Sequence, residues 1–161
     1  MYQGSIWPRE KNKLYTLLAA QAAALVEGEG DAIANMANLS ALLWQALPEI
    51  NWVGFYRRVG EELVLGPFQG KPACVRIAWG KGVCGTAAAT GEPQLVPDVH
   101  AFPGHIACDA ASRSELVIPL RGPEGTVTGV LDLDSPLPGR FTQEDLEGLL
   151  PIAALIRETA P

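Results

Sequence analysis

Three cysteines and a small group of acidic residues are the side chains of this sequence best suited to chemistry. Cys108 has the most polar surroundings: Asp109 follows it directly, His105 and Arg113 lie within five residues of it, and small residues fill most of the segment 104–115. Few large apolar side chains occur there, so the segment predicts a loop, and loops held by a rigid scaffold often carry functional residues. The thiolate is the nucleophilic form of cysteine, and nearby cations lower the pKa of a thiol. Cys108 is therefore a candidate nucleophile, rather than a buried apolar residue.

The other two cysteines, Cys74 and Cys84, are possible partners of this nucleophile. If Cys108 attacks an oxidised substrate, a second thiol must resolve the product, and either cysteine is a candidate. A metal site that includes His100 and His105 is the competing interpretation. The cysteines are ten and twenty-four residues apart, with no C-x-x-C pair, whereas structural zinc sites use tighter spacings. The sequence thus favours thiol redox chemistry without a bound metal.

Asp132 and Asp134 form a second candidate site. They alternate with Leu131 and Leu133 in a segment typical of a strand, so both carboxylates share one face. Two acids on one face repel each other unless they bind a cation, share a proton or face water. A ligand ammonium would satisfy them, and a carboxyl with a raised pKa would also donate a proton. Glu115, at the start of another predicted strand, is the third acid of this group.

Length and charge limit the classes of function. A chain of 161 residues is expected to form one domain. Its net charge of -6 argues against a nucleic-acid partner, which would require a basic face. No apolar run approaches the roughly 20 residues that span a bilayer, and the first residues lack the pattern of a signal peptide. We therefore expect no membrane partner and a cytoplasmic location, where thiols stay reduced.

Helical periodicity is predicted near both ends of the chain. Asp31 is a plausible N-cap for the second helix, and Met36 and Trp44 of that helix are expected in the core. Thr142 begins the S/T-x-x-D/E signature of a capping box, and Pro151 should kink or shorten the helix that follows. The expected bounds are 11–26 and 32–47 within an N-terminal helical region of about 11–47, and about 142–158 for the C-terminal helix.

Short strands and glycine-rich loops are predicted between these helices, over about 50–135. The pattern indicates two hairpins, an edge strand and a glycine-rich turn that leads into a short helix. Together with the flanking helices they indicate one domain of the α+β class, an antiparallel sheet with helices on one side. The predicted elements are strands at 51–57, 62–65, 73–77, 94–99, 115–120 and 127–134, a loop at 66–72 and the glycine-rich turn at 80–86.

Six segments together resemble the free methionine-(R)-sulfoxide reductases, which are single GAF-domain enzymes. The resemblance implies that 1–161 is one GAF domain, with a central antiparallel sheet, helices on one face and a loop-covered pocket on the other. It implies thiol-dependent reduction of the R-sulfoxide of free methionine, with thioredoxin as the reductant and no metal or organic cofactor. The segments are 51–56, 66–70, 73–77, 80–86, 104–112 and 131–135.

The same resemblance implies roles for individual residues. Cys108 matches the attacking thiol, Cys74 the resolving thiol and Cys84 an accessory third cysteine. An extra residue in the turn 122–125 and the proline at position 151 depart from the family pattern, and neither is near the implied site. The residues that match the family's substrate pocket are Glu115, Asp132, Asp134, Trp52 and Tyr56.

Two other functions stay open at this point. A GAF module that binds a small ligand without chemistry would explain the fold and the pocket, but not three cysteines in three different loops. A dimerisation domain without a ligand would leave the acidic residues without a role. GAF domains often dimerise, so the sequence is also compatible with a homodimer of the enzyme.

Overall fold

A computed structural model describes residues 4, 6–106 and 108–157 of the chain. Within these residues six strands form one antiparallel sheet in the order β3-β2-β1-β6-β5-β4. The α+β class and the antiparallel sheet predicted from the sequence are confirmed. The strands are β1 (Trp52–Val59), β2 (Glu62–Gly70), β3 (Arg76–Ala78), β4 (Gln94–Val96), β5 (Ser114–Arg121) and β6 (Val127–Ser135), and the helices are α1 (Lys11–Val26), α2 (Ala32–Ala46), α3 (Gly82–Thr90) and α4 (Gln143–Ala153), with a 3-10 turn at Val99–Ala101.

The helix ends follow the capping signals in the sequence. The Asp31 carboxylate accepts a hydrogen bond from the Ala34 N–H at 2.9 Å, which confirms it as the N-cap of α2. The Thr142 N–H donates to the Asp145 carboxylate at 2.8 Å at the start of α4. Helix α4 ends at Ala153, so the expected bound near 158 is wrong. Pro151 lies inside α4, and the helix continues past it to Ala153.

The two faces of the sheet are covered differently. Helices α1, α2 and α4 pack on one face, where Leu18, Met36 and Leu149 are fully buried in the core. Helix α3 lies on the other face, against β5 and β6. Trp44 is 38% exposed, so its expected place in the core is wrong. The next residue along a helix is rotated by about 100°, so Trp44 points away from the core that Leu43 fills. No helix in the described ranges is long and apolar enough to cross a membrane.

Strand β2 continues through most of the segment 66–72, which was expected to be a loop. In the pairing of β1 with β2, Gly54 lies opposite Phe68 and Tyr56 lies opposite Leu65. Two residues of β2, a glycine and a proline, therefore face one residue of β1. This is a β-bulge, and the proline in it lies beyond the pairing of β2 with β3, which covers only 62–64.

Two predicted strands are shorter than expected. Strand β3 begins at Arg76 rather than at residue 73, so Cys74 lies in the loop between β2 and β3. Strand β4 ends at Val96, and its place at one edge of the sheet is confirmed. The segment 104–113 between the 3-10 turn and β5 has no regular structure in its described residues, as expected for the loop that carries Cys108.

Candidate active site

A cleft with about 560 Å³ of empty space opens on the face of the sheet that carries α3. It lies between the ends of β1, β5 and β6, the first turn of α3 and the loops that carry Lys71 and Cys108. The candidate residues from distant parts of the sequence meet there. Of the eight residues singled out in the sequence, seven line the cleft: Trp52, Tyr56, Cys84, Cys108, Glu115, Asp132 and Asp134.

The eighth residue, Cys74, is joined to Cys108 by a disulfide, with the two Cα atoms 5.7 Å apart. This separation is within the range that a disulfide requires, so the pair implied by the family resemblance forms without further movement of the backbone. Cys108 lines the cleft, whereas Cys74 does not. Cys84 is a free and buried thiol in the first turn of α3. The three cysteines therefore occupy three different surroundings.

Asn51 anchors the loop that carries Cys108. Its side-chain nitrogen donates to the Asp109 carboxylate and to the Ser112 hydroxyl, both at 3.1 Å. Its backbone N–H donates to the Asp134 carbonyl at 2.9 Å. Its side-chain oxygen is buried and has no hydrogen-bond partner among the described residues. Sequence analysis missed this residue as part of the site, and the only local signal for it was its position directly before Trp52.

The aromatic residues of β1 hold the loop on the Cys74 side. The Tyr56 hydroxyl donates to the Cys74 carbonyl at 2.9 Å, and the Trp52 indole N–H donates to the Lys71 carbonyl at 3.2 Å. The Trp52 ring stacks on Phe68, with 5.2 Å between the ring centroids. Gly54 makes this approach possible, because a Cβ atom there would lie 2.3 Å from the Phe68 Cβ. Both predicted aromatic residues thus shape the cleft and position the partner of Cys108.

The three acids lie together on neighbouring strands. Glu115 of β5 is directly opposite Asp134 of β6 in the sheet register. Glu115 is 6% exposed and Asp132 is 5% exposed, and one Asp132 carboxylate oxygen has no partner in the described part of the chain. Burial, and then the charge of Asp132, raise the pKa values of Glu115 and Asp134 well above their usual range. The group thus retains protons at pH values where isolated carboxylates are ionised.

Cys84 faces these acids. Its Sγ is 3.9 Å from the Glu115 carboxylate, in a hydrogen bond that the thiol donates. Burial, followed by the negative charge of Asp132, raises the pKa of the Cys84 thiol well above its usual value. A thiol needs the opposite surroundings to become a reactive thiolate. In this environment Cys84 remains protonated, which makes it a poor nucleophile.

The first turn of α3 forms another wall of the cleft. Gly82 begins the helix with a φ of +64°, and a Cβ atom there would lie 3.1 Å from the Ile106 side chain. Gly82 and Val83 line the cleft. The first N–H groups of a helix have no intrahelical acceptor, so the N-terminus of α3 favours a bound anion. His105 also lines the cleft, and burial, followed by the charge of His100, lowers its pKa. The cleft thus combines an acidic side with a side that favours an anion.

Comparison with known proteins gives matches over nearly the whole chain. A family model described as a GAF domain matches residues 31–158. The chain is 52% identical to the free methionine-R-sulfoxide reductase of Escherichia coli (strain K12) over 148 residues, which are 92% of this chain and 89% of that one. It is 46% identical to the free methionine-R-sulfoxide reductase of Saccharomyces cerevisiae over 142 residues, 84% of this chain and 79% of that one. An X-ray structure of the free methionine-R-sulfoxide reductase from Neisseria meningitidis in complex with its substrate superimposes with a TM-score of 0.92 at 42% identity, covering 97% of this chain and 93% of that one.

Proposed function

Because the chain belongs to the free methionine-R-sulfoxide reductase family, we propose that it reduces free L-methionine (R)-sulfoxide to L-methionine, with Cys108 as the attacking thiol and Cys74 as the resolving thiol. The observation that carries this proposal is the Cys74–Cys108 disulfide at the wall of a cleft that also contains three buried acids. The reaction requires a redox-active pair of cysteines beside acidic side chains that bind the ammonium group of the substrate. The chemistry needs only side chains of the protein and an external dithiol.

The substrate is a zwitterion, and the cleft offers complementary groups for both of its charges. The acids Glu115, Asp132 and Asp134 bind the ammonium group, which removes the cost of burying carboxylates without a cation. The first N–H groups of α3 bind the carboxylate. The Trp52 ring provides an apolar wall for the methyl group. These contacts select a free amino acid, because a peptide-bound methionine has neither charged group.

The first chemical step forms methionine and a sulfenic acid. The Cys108 thiolate attacks the sulfoxide sulfur, while a protonated carboxyl donates a proton to the sulfoxide oxygen. The oxygen is transferred to the Cys108 sulfur, methionine leaves, and Cys108 becomes a sulfenic acid. Glu115 and Asp134 are the candidate proton donors, since their pKa values are raised by burial and by the charge of Asp132.

The second step restores the enzyme. The Cys74 thiolate attacks the Cys108 sulfenic acid, a disulfide forms, and the oxygen leaves as water after it gains a proton. An external dithiol, for which we propose thioredoxin, then reduces the disulfide to two thiols by exchange. Cys84 takes no part in electron transfer in this scheme. Its accessory role is to line the pocket beside Glu115, from which it is 3.9 Å away.

Turnover of separated epimers tests this function. The reduced protein is mixed with free methionine (R)-sulfoxide or (S)-sulfoxide, together with thioredoxin, thioredoxin reductase and NADPH, and methionine is measured. We expect methionine from the R epimer alone. Absence of turnover of the R epimer would overturn the reductase proposal and leave a ligand-binding GAF module as the alternative.

The cysteine roles are tested by two matched substitutions. Cys108→Ser should form no methionine even in a single turnover, because the nucleophile is lost. Cys74→Ser should form about one methionine per chain and then stop, because the sulfenic acid is not resolved. If Cys74→Ser recycles normally with thioredoxin, then Cys84 is the resolving thiol and this assignment fails.

We also propose that the protein forms a homodimer through α2. Ile33 and Trp44 are 42% and 38% exposed on this helix, and their spacing of eleven residues places them on the same side of it. Large apolar side chains exposed on one side of a helix are candidates for an interface. Sedimentation equilibrium should give a dimer for the native chain and a shift towards monomer for Trp44→Glu. A monomer at all concentrations would refute the dimer without affecting the reductase assignment.

A further inference from the structure

Cys84, Glu115 and Asp132 form a cluster that the proposed electron transfer does not use as a unit. Their Sγ and carboxylate oxygens all lie within 4.8 Å of one another. They come from α3, β5 and β6 respectively, and each of them is at least nine-tenths buried. All three line the cleft, so small solutes have access to them. We propose that this cluster binds a thiophilic divalent cation, with Zn²⁺ as the representative ion, and that the bound ion blocks the substrate pocket.

The unpartnered oxygen of Asp132 is the independent sign that the cluster lacks a ligand. This side chain is 5% exposed, and no N–H or hydroxyl group among the described residues donates to its Oδ1, so only a proton held by a neighbouring acid satisfies this oxygen. A buried acceptor without a partner is costly. Lys71 and Lys81 line the same cleft, but no ion pair among the described residues joins a lysine or arginine to the cluster. A cation from solution would therefore provide what the protein itself does not.

The donor atoms indicate the type of cation. A thiolate with two carboxylates is a borderline set that suits Zn²⁺ or Co²⁺, whereas Mg²⁺ and Ca²⁺ prefer oxygen alone. Tetrahedral zinc with one sulfur and two oxygen ligands places its donors about 3.5 Å apart. The observed separations, with 3.9 Å between Cys84 and Glu115, reach this value after side-chain shifts of less than about one ångström. Water would complete the coordination. Binding releases the Cys84 proton to the buffer, since the thiolate is the ligand.

The spacing of cysteines and histidines in the sequence gave no sign of this cluster, because its ligands come from three separate elements. The acids of the cluster are also those proposed to bind the substrate ammonium. Metal and substrate therefore cannot occupy the cleft together, and this part of the inference rests on the proposed function.

The disulfide form of the protein provides a direct test. With Cys74 and Cys108 joined, Cys84 is the only thiol of the chain. A titration of the oxidised protein with Co²⁺ should therefore give a thiolate-to-cobalt charge-transfer band that saturates at about one ion per chain. Added Zn²⁺ should remove the band by displacement. If no charge-transfer band appears, the proposed site does not exist.

Substitutions then assign the ligands. Cys84→Ser should abolish the band, and Asp132→Asn should weaken Co²⁺ binding at least tenfold while circular dichroism stays unchanged. Glu124→Gln, in the exposed turn between β5 and β6, is the matched control and should bind like the native chain. A band that persists in Cys84→Ser, or an unchanged affinity in Asp132→Asn, would overturn the assignment.

Inhibition is measured separately in a single turnover of the reduced protein without added thiol. Zn²⁺ should raise the (R)-sulfoxide concentration needed for half-maximal rate, and Cys84→Ser should be inhibited less than the native chain. Equal inhibition of both proteins would overturn the blocking role. The cobalt titration contains no substrate, so its outcome is independent of whether the reductase proposal holds.

Discussion

Two buried acidic sites on opposite faces of the sheet have opposite electrostatic character. On the helical face Asp145 is 1% exposed and its carboxylate is fully paired. Lys11 donates to it at 2.6 Å and the Tyr15 hydroxyl donates at 2.7 Å. On the pocket face Glu115 and Asp132 are buried to a similar degree, but one Asp132 oxygen has no donor and the nearest polar neighbours are other acids and a thiol.

The pKa values of the two sites differ for the same reason. Burial raises the pKa of Asp145, but the hydrogen bonds from Lys11, from the Thr142 backbone and from Tyr15 outweigh this effect, and the pKa is lowered. At Glu115 burial and the charge of Asp132 act in the same direction, and the pKa is raised. A paired acid stabilises the fold, whereas an unpaired one is available to bind a ligand or donate a proton. The contrast thus separates a structural site from a functional one.

The largest expected effect is on activity, from removal of an acid on the pocket face. Glu115→Gln removes a candidate proton donor and part of the ammonium site, so the single-turnover rate should fall by about 10²- to 10⁴-fold. Stability at neutral pH should not fall, because the amide resembles the protonated carboxyl. Rapid quench with methionine analysis measures the rate. A rate within threefold of the native value would exclude a catalytic role for Glu115.

The next effect is on stability, from removal of the paired acid. Asp145→Asn removes the negative charge and one of the two oxygens that accept from Lys11 and Tyr15, and loss of one member of a buried ion pair costs about 3 kcal/mol. Urea unfolding should therefore show a lower unfolding free energy, while turnover per folded chain stays at the native value. A matched loss of activity would contradict the separation of the two faces.

The pH dependence of stability should distinguish the sites by sign. Asp145, with a lowered pKa in the folded state, stabilises the protein above its unfolded pKa of about 3.9, and this contribution is lost as the pH falls. Glu115 and Asp134, with raised pKa values, are protonated more in the folded state. Their contribution is present below about pH 4 and is lost as the pH rises, by at most about 1.4 kcal/mol per group and pH unit.

Urea unfolding of the native chain and of Glu115→Gln from pH 5 to pH 8 measures this difference. The native chain should lose stability relative to Glu115→Gln as the pH rises. The Glu115 carboxyl keeps its proton in the folded chain at pH values where it ionises in the unfolded chain, whereas glutamine has no such proton. Parallel curves would show that Glu115 has no raised pKa, and would remove the electrostatic contrast between the faces.

The smallest expected effect comes from the hydrogen bonds that hold the nucleophile. Asn51→Ala removes the donor to Asp109 and Ser112, so the Cys108 loop loses an anchor, and we expect a single-turnover rate about tenfold lower. The rate of Cys108 alkylation in the reduced protein should change as well, since the loop around this thiol has lost an anchor. Asn38→Ala, on the exposed side of α2, is the control and should leave both measurements unchanged.

Local signals in the sequence predicted much of the secondary structure. The apolar period predicted α1 with its observed bounds, and Asp31 and Thr142 marked the starts of α2 and α4. Strand alternation placed Asp132 and Asp134 on one face, and the structure confirms that both line the cleft. These predictions succeeded because capping and periodicity depend on residues close together in the chain. The bulge in β2 was missed, because glycine and proline there indicated a loop.

The sequence alone determined the fold class, the starts of the capped helices and, through its resemblance to a family, the chemistry to expect. Only the tertiary structure decided which thiols meet. Reasoning from the residues left Cys74 and Cys84 open as partners of Cys108, whereas the folded chain pairs Cys74 with Cys108 and buries Cys84 beside Glu115. The hydrogen bond from Asn51 to Asp109 and the cross-strand pairing of Glu115 with Asp134 are also seen only in the folded chain. Such contacts join residues far apart in sequence, and they depend on strand register and loop packing, which local propensity does not encode.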